Sequence, residues 1–191
     1  MRKKNPNKRD ELLEKFFDCF CKNGLEATST KMLAEACGMS SGNIFHYFGT
    51  KDEIIIDSTA YCMAKVEDDF MENAPKSFDD VPRFLHEIPY WTAKKHGEKY
   101  RFMYQVYTSP SYLEHGKEFF KGVTKRYTDY AKSLEPKLGI PWQVIQPLIY
   151  SFVRASVHYA LFEDEEYLLP QIGMIEAAVG MFREKYAKKA D

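Results

Sequence analysis

At 191 residues the chain has room for one ordinary domain with a substantial core, or for a small module joined to a larger one. Hydrophobic residues at 45% and charged residues at 29% are the balance of a soluble globular protein, and no apolar run approaches the roughly 20 residues of a membrane-spanning helix, which excludes a helical membrane protein. Net charge is −1, yet residues 1–51 hold nine Lys/Arg against six Asp/Glu and the remainder 18 against 22, a weak pointer to a nucleic-acid-facing N-terminal end.

The opening MRKKNPNKRDE has no apolar secretory segment behind it, so the protein is expected in the cytosol. Cys19, Cys21, Cys37 and Cys62 include no pair at CxxC spacing, and Cys19 and Cys21 fall on different sides of a helix. Buried reduced thiols are expected, with a metal or redox role as the alternative; no cofactor and no metal are called for.

Leu12, Leu13, Phe16, Phe17 and Phe20 recur at helical spacing between a candidate cap at Asn7 and the terminator Asn23-Gly24. A short second helix follows the cap-rich Thr28-Ser29-Thr30, carries Met32, Leu33, Ala34 and Ala36, and stops at Gly38. A third runs from about Ser41 to Phe48 and ends at Gly49. Thr50-Lys51-Asp52-Glu53 has the form of a capping box, so a fourth helix starts there, with Ile55, Thr59, Cys62, Val66 and Phe70 on one face.

Beyond Asn73-Ala74-Pro75 the pattern stays helical: Val81 to His96, Tyr100 to Tyr107, Gly116 to Leu134, Trp142 to Phe162 and Leu168 to Tyr186. Breaks are expected at His96-Gly97, Ser109-Pro110, Pro136 to Pro141 and a solvated acidic loop from Glu163 to Glu166. Pro82 suits a first turn, whereas Pro89 and Pro147 should kink or delimit their helices. The expected fold class is all-α, about nine helices.

Residues 24–53, GLEATSTKMLAEACGMSSGNIFHYFGTKDE, contain two helices too short to be stable alone, joined by Cys37-Gly38-Met39-Ser40. Gly38 gives the backbone freedom of a sharp turn, and Met39 is placed to plug the angle between the helices. An eight-residue third helix is about 12 Å long, comparable with the width of a DNA major groove. Its start combines small side chains with amide and hydroxyl groups, which permits close approach to base edges.

This stretch resembles the DNA-binding signature of the TetR/AcrR family of bacterial repressors. The resemblance is carried by Gly24, Leu25, Thr28 to Thr30, Leu33-Ala34, Gly38-Met39-Ser40, Gly42, Phe45 to Phe48 and Lys51. It implies an N-terminal helix-turn-helix domain over residues 1–50 and an effector-binding and dimerisation domain over residues 51–191. It also implies that Thr30 bonds a phosphate, that Ser40, Ser41, Gly42 and Asn43 face the groove, and that His46, Tyr47 and Lys51 hold the backbone beside it. Phe45 stands where the family usually has Tyr, so a phosphate-bonding hydroxyl is replaced by a ring suited to a thymine methyl. The competing reading makes Thr30 and Ser40 helix caps, His46 and Tyr47 packing residues, and Lys51 a solvated first-turn lysine.

In the last two helices Ile145, Leu148, Ile149, Phe152, Val153, Ser156 and Val157 form one apolar stripe, and Leu168, Ile172, Ile175, Val179 and Phe182 another. Such stripes suit a four-helix interface with a second subunit, and Ile145, Ile149, Phe152, Ser156, Ile172, Ile175, Val179 and Phe182 are the expected dimer contacts. Packing within one chain is the alternative. A two-fold dimer would read a palindromic double-stranded operator.

The helices from Val81 to Leu134 are rich in aromatics, and the family resemblance implies a small-molecule effector cavity there, for which Trp91, Tyr104 and Tyr107 are the candidate walls. The resemblance implies a ligand-released repressor. Motifs for nucleotide binding, nucleophilic hydrolysis or zinc catalysis are missing, so an enzyme is not expected. A helical dimer without any effector is the third reading.

Overall fold

The computed structural model describes residues 6–187, so Arg2, Lys3 and Lys4 of the basic N-terminal stretch lie outside the described residues. Among these residues there are eight α-helices, one 3-10 turn at Phe78–Asp80 and no strand. The helices are α1 (Pro6–Asn23), α2 (Thr30–Cys37), α3 (Ser41–Phe48), α4 (Lys51–Glu72), α5 (Val81–Thr108), α6 (Leu113–Leu138), α7 (Trp142–Phe162) and α8 (Glu165–Ala187). The position expected to cap α1, Asn7, is already inside the helix.

The chain divides into two compact units, one of residues up to Asp69 with Glu98–Phe119, the other of Phe70–Gly97 with residues from Phe120 onward. In the first unit the aromatic face of α1 makes the core: Phe16, Phe17 and Phe20 are fully buried, as are Leu33, Ile44, Ile54 and Met63. Phe16 meets Phe48 edge to face at 5.1 Å, and Phe102 stacks on Phe20 at 5.3 Å and meets Phe17 edge-on at 5.5 Å. Burying each such ring stabilises the fold by about 1.5–3 kcal/mol. All five residues expected on the inner face of α4 are buried.

In the second unit one cluster joins Phe70, Phe84, Ile88, Tyr127, Phe152, Leu168 and Ile172, and a smaller one joins Ala131, Leu134, Ile140 and Ile145. Phe84 and Phe152 lie 4.7 Å apart.

The two segments expected to be separated at His96-Gly97 are one helix of 28 residues, which takes the count from nine to eight. An interior glycine costs a helix only about 1 kcal/mol. The buried Ile88, Thr92, Tyr100 and Met103 on either side offset that cost through packing. The boundary between the units nevertheless falls directly after Gly97. Pro89, Pro136 and Pro147, expected to kink or end helices, lie inside α5, α6 and α7. The expected acidic loop shrinks to two residues. Glu163 takes a left-handed φ of 54° to end α7, and the Asp164 carboxylate accepts the Tyr167 amide at 3.0 Å to start α8.

Phe48 is 5% exposed and holds α3 against α1 through the Phe16 contact. Phe48→Ala should therefore destabilise the protein by about 3–5 kcal/mol in urea unfolding; a loss under about 1 kcal/mol would mean that α3 is held by something else.

Candidate nucleic-acid interface

The helix-turn-helix is built from local rules. Ser29 caps α2, its hydroxyl accepting the Met32 amide at 3.2 Å. Gly38 then turns left-handed at φ 63°, where a side chain would be strained, and the amides of Gly38 and Met39 close the helix on the carbonyls of Glu35 and Ala34 at 3.2 and 3.0 Å. Ser40 caps α3 by accepting the Asn43 amide at 3.3 Å.

Two apolar residues one turn apart decide which way α3 faces. Ile44 is fully buried and Phe48 nearly so, which leaves Gly42, Asn43, Phe45 and His46 exposed on the other side, Phe45 at 41%. Ser41 and Tyr47 are half-buried at the edges, and Ser40 is exposed. Thr30 is the half-buried first residue of α2, and Lys51 the half-buried first residue of α4. All nine residues expected to meet DNA therefore lie on one segment, with a contiguous exposed face at Ser40, Gly42, Asn43, Phe45 and His46. Ser40 has the capping role foreseen as its alternative, and exposure does not conflict with that role. Tyr47 touches its neighbours, with ring centroids 6.1 Å from His46 and 6.4 Å from Phe48.

The junction after α3 is also fixed. Gly49 has φ 80°, and the expected capping box is present: Glu53 accepts the Thr50 amide at 2.7 Å, and the Thr50 hydroxyl accepts the Glu53 amide at 3.2 Å. These hydrogen bonds, the backbone amide first, hold the Glu53 carboxyl below its ordinary range.

Arg9, counted above only as a basic residue, has a structural task that the sequence did not disclose. It pairs with Asp57 at 2.5 Å and lies 5.2 Å from the centre of the Phe48 ring, tying α1, α3 and α4 together behind the exposed face. The Tyr112 hydroxyl likewise donates to Asp52 in the first turn of α4 at 2.6 Å.

The cysteines are all free thiols, Cys19 and Cys62 buried and Cys21 and Cys37 half-buried. Burial pushes Cys21 and Cys62 up to about 12 and Cys37 to about 11, so none is a thiolate at neutral pH.

A second feature lies wholly in the second unit: an apolar cavity of about 110 Å³. The last turn of α4 contributes Phe70 and Met71, and the segment after it contributes Pro75, Ser77 and Phe78; residues of α5, α6, α7 and α8 complete the wall. Trp91, Tyr104 and Tyr107 do not line it. Trp91 packs against the core of the second unit, whereas Tyr104 and Tyr107 belong to the first, where Tyr107 is buried beside Phe119 at 5.1 Å. The aromatic richness of these helices goes into core packing at Trp91 and Tyr107, and the cavity of the second unit is lined by other residues.

The expected dimer contacts also need correction. Ile145, Phe152, Ser156, Ile172 and Ile175 are at most 8% exposed within the single chain, so they cannot also be the surface a partner covers. Ile149, Val179 and Phe182 are half-buried and line the cavity. The apolar side chains that α7 and α8 do present to solvent are Phe162 (68%), Leu169 (48%), Met174 (50%) and Met181 (62%), with Tyr167 beside them.

Residues 12–57 match the family model described as bacterial regulatory proteins, tetR family. The chain is 36% identical over 67 residues to the HTH-type transcriptional repressor AcnR of Corynebacterium efficiens, a stretch covering 35% of this chain and 36% of AcnR. It thus spans only about a third of that relative's length. Over 95% of both chains the fold is like that of a transcriptional regulator from Pseudomonas aeruginosa PAO1, with a TM-score of 0.66 at 14% identity. It is also like that of the regulator FadR from Bacillus subtilis in complex with stearoyl-CoA, with a TM-score of 0.57 at 12% identity over 90% of this chain and 96% of FadR. The helix-turn-helix segment is thus similar to that of the tetR family of bacterial regulatory proteins, and the all-helical fold is like that of solved transcriptional regulators.

Proposed function

We propose that the protein is a cytoplasmic transcriptional repressor that binds a palindromic operator as a homodimer and is released by a small apolar effector. Residues 1–50 read DNA, and residues 51–191 hold the effector and the second subunit. The carrying observation is the division of α3 into a buried pair, Ile44 and Phe48, and an exposed edge of Gly42, Asn43, Phe45 and His46. Gly42 lets the helix approach base edges closely, Asn43 has the amide that pairs bidentately with adenine, and Phe45 suits a thymine methyl. Ser40 and Ser41 face the groove beside this edge, while Thr30, His46, Tyr47 and Lys51 hold the phosphate backbone.

The effector site is the cavity of the second unit rather than the neighbourhood of Trp91, Tyr104 and Tyr107. FadR, of like fold, is seen with stearoyl-CoA, a ligand with a long apolar chain. The wall here includes the last turn of α4, a helix of 22 residues that starts two residues after α3 ends. A ligand that displaces Phe70 or Met71 acts on the last turn of the helix that follows the recognition helix in the chain.

The second subunit covers the exposed apolar side chains of α7 and α8. Phe162, Leu169, Met174 and Met181 are too numerous on one pair of helices to be scattered surface residues.

Two measurements test this reading. Binding to duplex DNA from upstream of its own gene, followed by fluorescence anisotropy at low salt, should weaken at least about tenfold in Asn43→Ala with His46→Ala, since the lost base contact of Asn43 costs about 1–3 kcal/mol and the lost backbone contact of His46 adds to it. The melting temperature should be unchanged because both side chains are exposed, and wild-type affinity in the double variant would reject α3 as the reading helix. In sedimentation equilibrium the wild type should be a dimer and Met174→Glu with Met181→Glu a monomer; a dimeric double variant would place the interface elsewhere.

A further inference from the structure

The cavity wall is apolar except for Ser77, Tyr127 and Tyr130. Two of these three gather at one end, where the Tyr130 hydroxyl donates to the Pro75 carbonyl and the Ser77 hydroxyl to Asp80 at 3.0 Å. Both protons are thus already committed. Beside that end lies Arg183, its guanidinium 5.7 Å from the centre of the Phe78 ring, which itself lines the cavity. Arg183 directly follows Phe182, another wall residue.

A guanidinium carries five donors in a planar fork that matches a carboxylate. Among the described residues the carboxylate paired with this one is Asp79, at 4.0 Å, too far for a hydrogen bond. Arg183 is 62% exposed and Asp79 89%, so their attraction is screened and weak. The Phe78 ring lies within cation–π range of the guanidinium, and the exposed side chain keeps donors available to a ligand.

Resting on the reading of this cavity as the effector site, we propose that the effector is a single-chain amphiphile with a carboxylate head: its tail fills the cavity and Arg183 binds the head, exchanging the loose Asp79 for it. An uncharged chain lacks this contact, so the effector is selected by its head as well as by its tail. At about 110 Å³ the cavity is smaller than the 150 Å³ void that accepts benzene, so a long tail also has to move wall side chains. Asp79 is the built-in competitor of the head, because it holds the same guanidinium when no ligand is present.

Isothermal titration calorimetry on the full chain with octanoate, octan-1-ol and octyltrimethylammonium tests this. The wild type should bind octanoate about two- to fivefold more tightly than octanol, as a charge-assisted contact to an exposed guanidinium provides, and the ammonium most weakly. Arg183→Gln should remove the advantage of octanoate and leave octanol binding intact, which also shows that the variant is folded. Asp79→Asn should tighten octanoate severalfold and leave octanol unchanged. Equal affinity for octanoate and octanol in the wild type, or an octanoate preference that survives Arg183→Gln, overturns the role of Arg183. The cavity reading fails separately if neither octanoate nor octanol binds, or if Val153→Trp, which fills the cavity from α7 and is checked for folding by circular dichroism, leaves both affinities unchanged.

Discussion

Ile44 and Phe48 lie one turn apart on an eight-residue helix, both buried, with Phe48 edge-on to Phe16 of α1. A helix of this length does not persist in water by itself, so tertiary packing is what makes it exist. Packing also fixes its rotation: once one side is committed to α1, the remaining positions have to face solvent. The exposed edge at Gly42, Asn43, Phe45 and His46 is therefore a consequence of the core behind it. Arg9, stacked on Phe48 and paired with Asp57, and the Thr50-Glu53 box secure the same orientation at the start of α4.

The second unit answers a different demand. Phe70, Phe84 and Phe152 crowd together with ring centroids within 6.4 Å of one another, and large rigid rings fill space well in some directions and leave gaps in others. Here the gap opens between the end of α4 and the later helices, lined almost wholly by apolar side chains. Apolar voids of this kind favour apolar guests. The core supplies the site by failing to close at that point.

Much of this was legible in the residues. Six helices begin and end within a few residues of where periodicity and caps put them, because Thr28 to Thr30, Gly38, Gly49 and the Thr50-x-x-Glu53 pattern act over one turn and need no tertiary partner to be understood. Two kinds of information were not. Gly97 reads as a stop, and only burial on both sides of it decides that α5 continues. An apolar stripe such as Ile145, Phe152, Ser156 and Ile172, Ile175 likewise says that a surface is covered without saying by what; here the same chain covers it. Trp91, Tyr104 and Tyr107 lie off the cavity of the second unit for a related reason, since a void is a property of how neighbours fit and not of any residue type.

The proposal of a second subunit rests on the last helix. α8 buries Leu168, Ile172 and Ile175 on one side and yet exposes Leu169, Met174 and Met181 elsewhere around its circumference. A surface helix ordinarily gives its outer face to charged and polar residues, and a helix that is apolar around its circumference is normally covered around its circumference. The core of the second unit accounts for one side only. The same helix brings Val179 and Phe182 to the cavity wall, so a subunit seated on its outer face would be one helix's thickness from the proposed effector. Effector binding and subunit pairing would then be coupled through the packing of a single helix, with no longer path required.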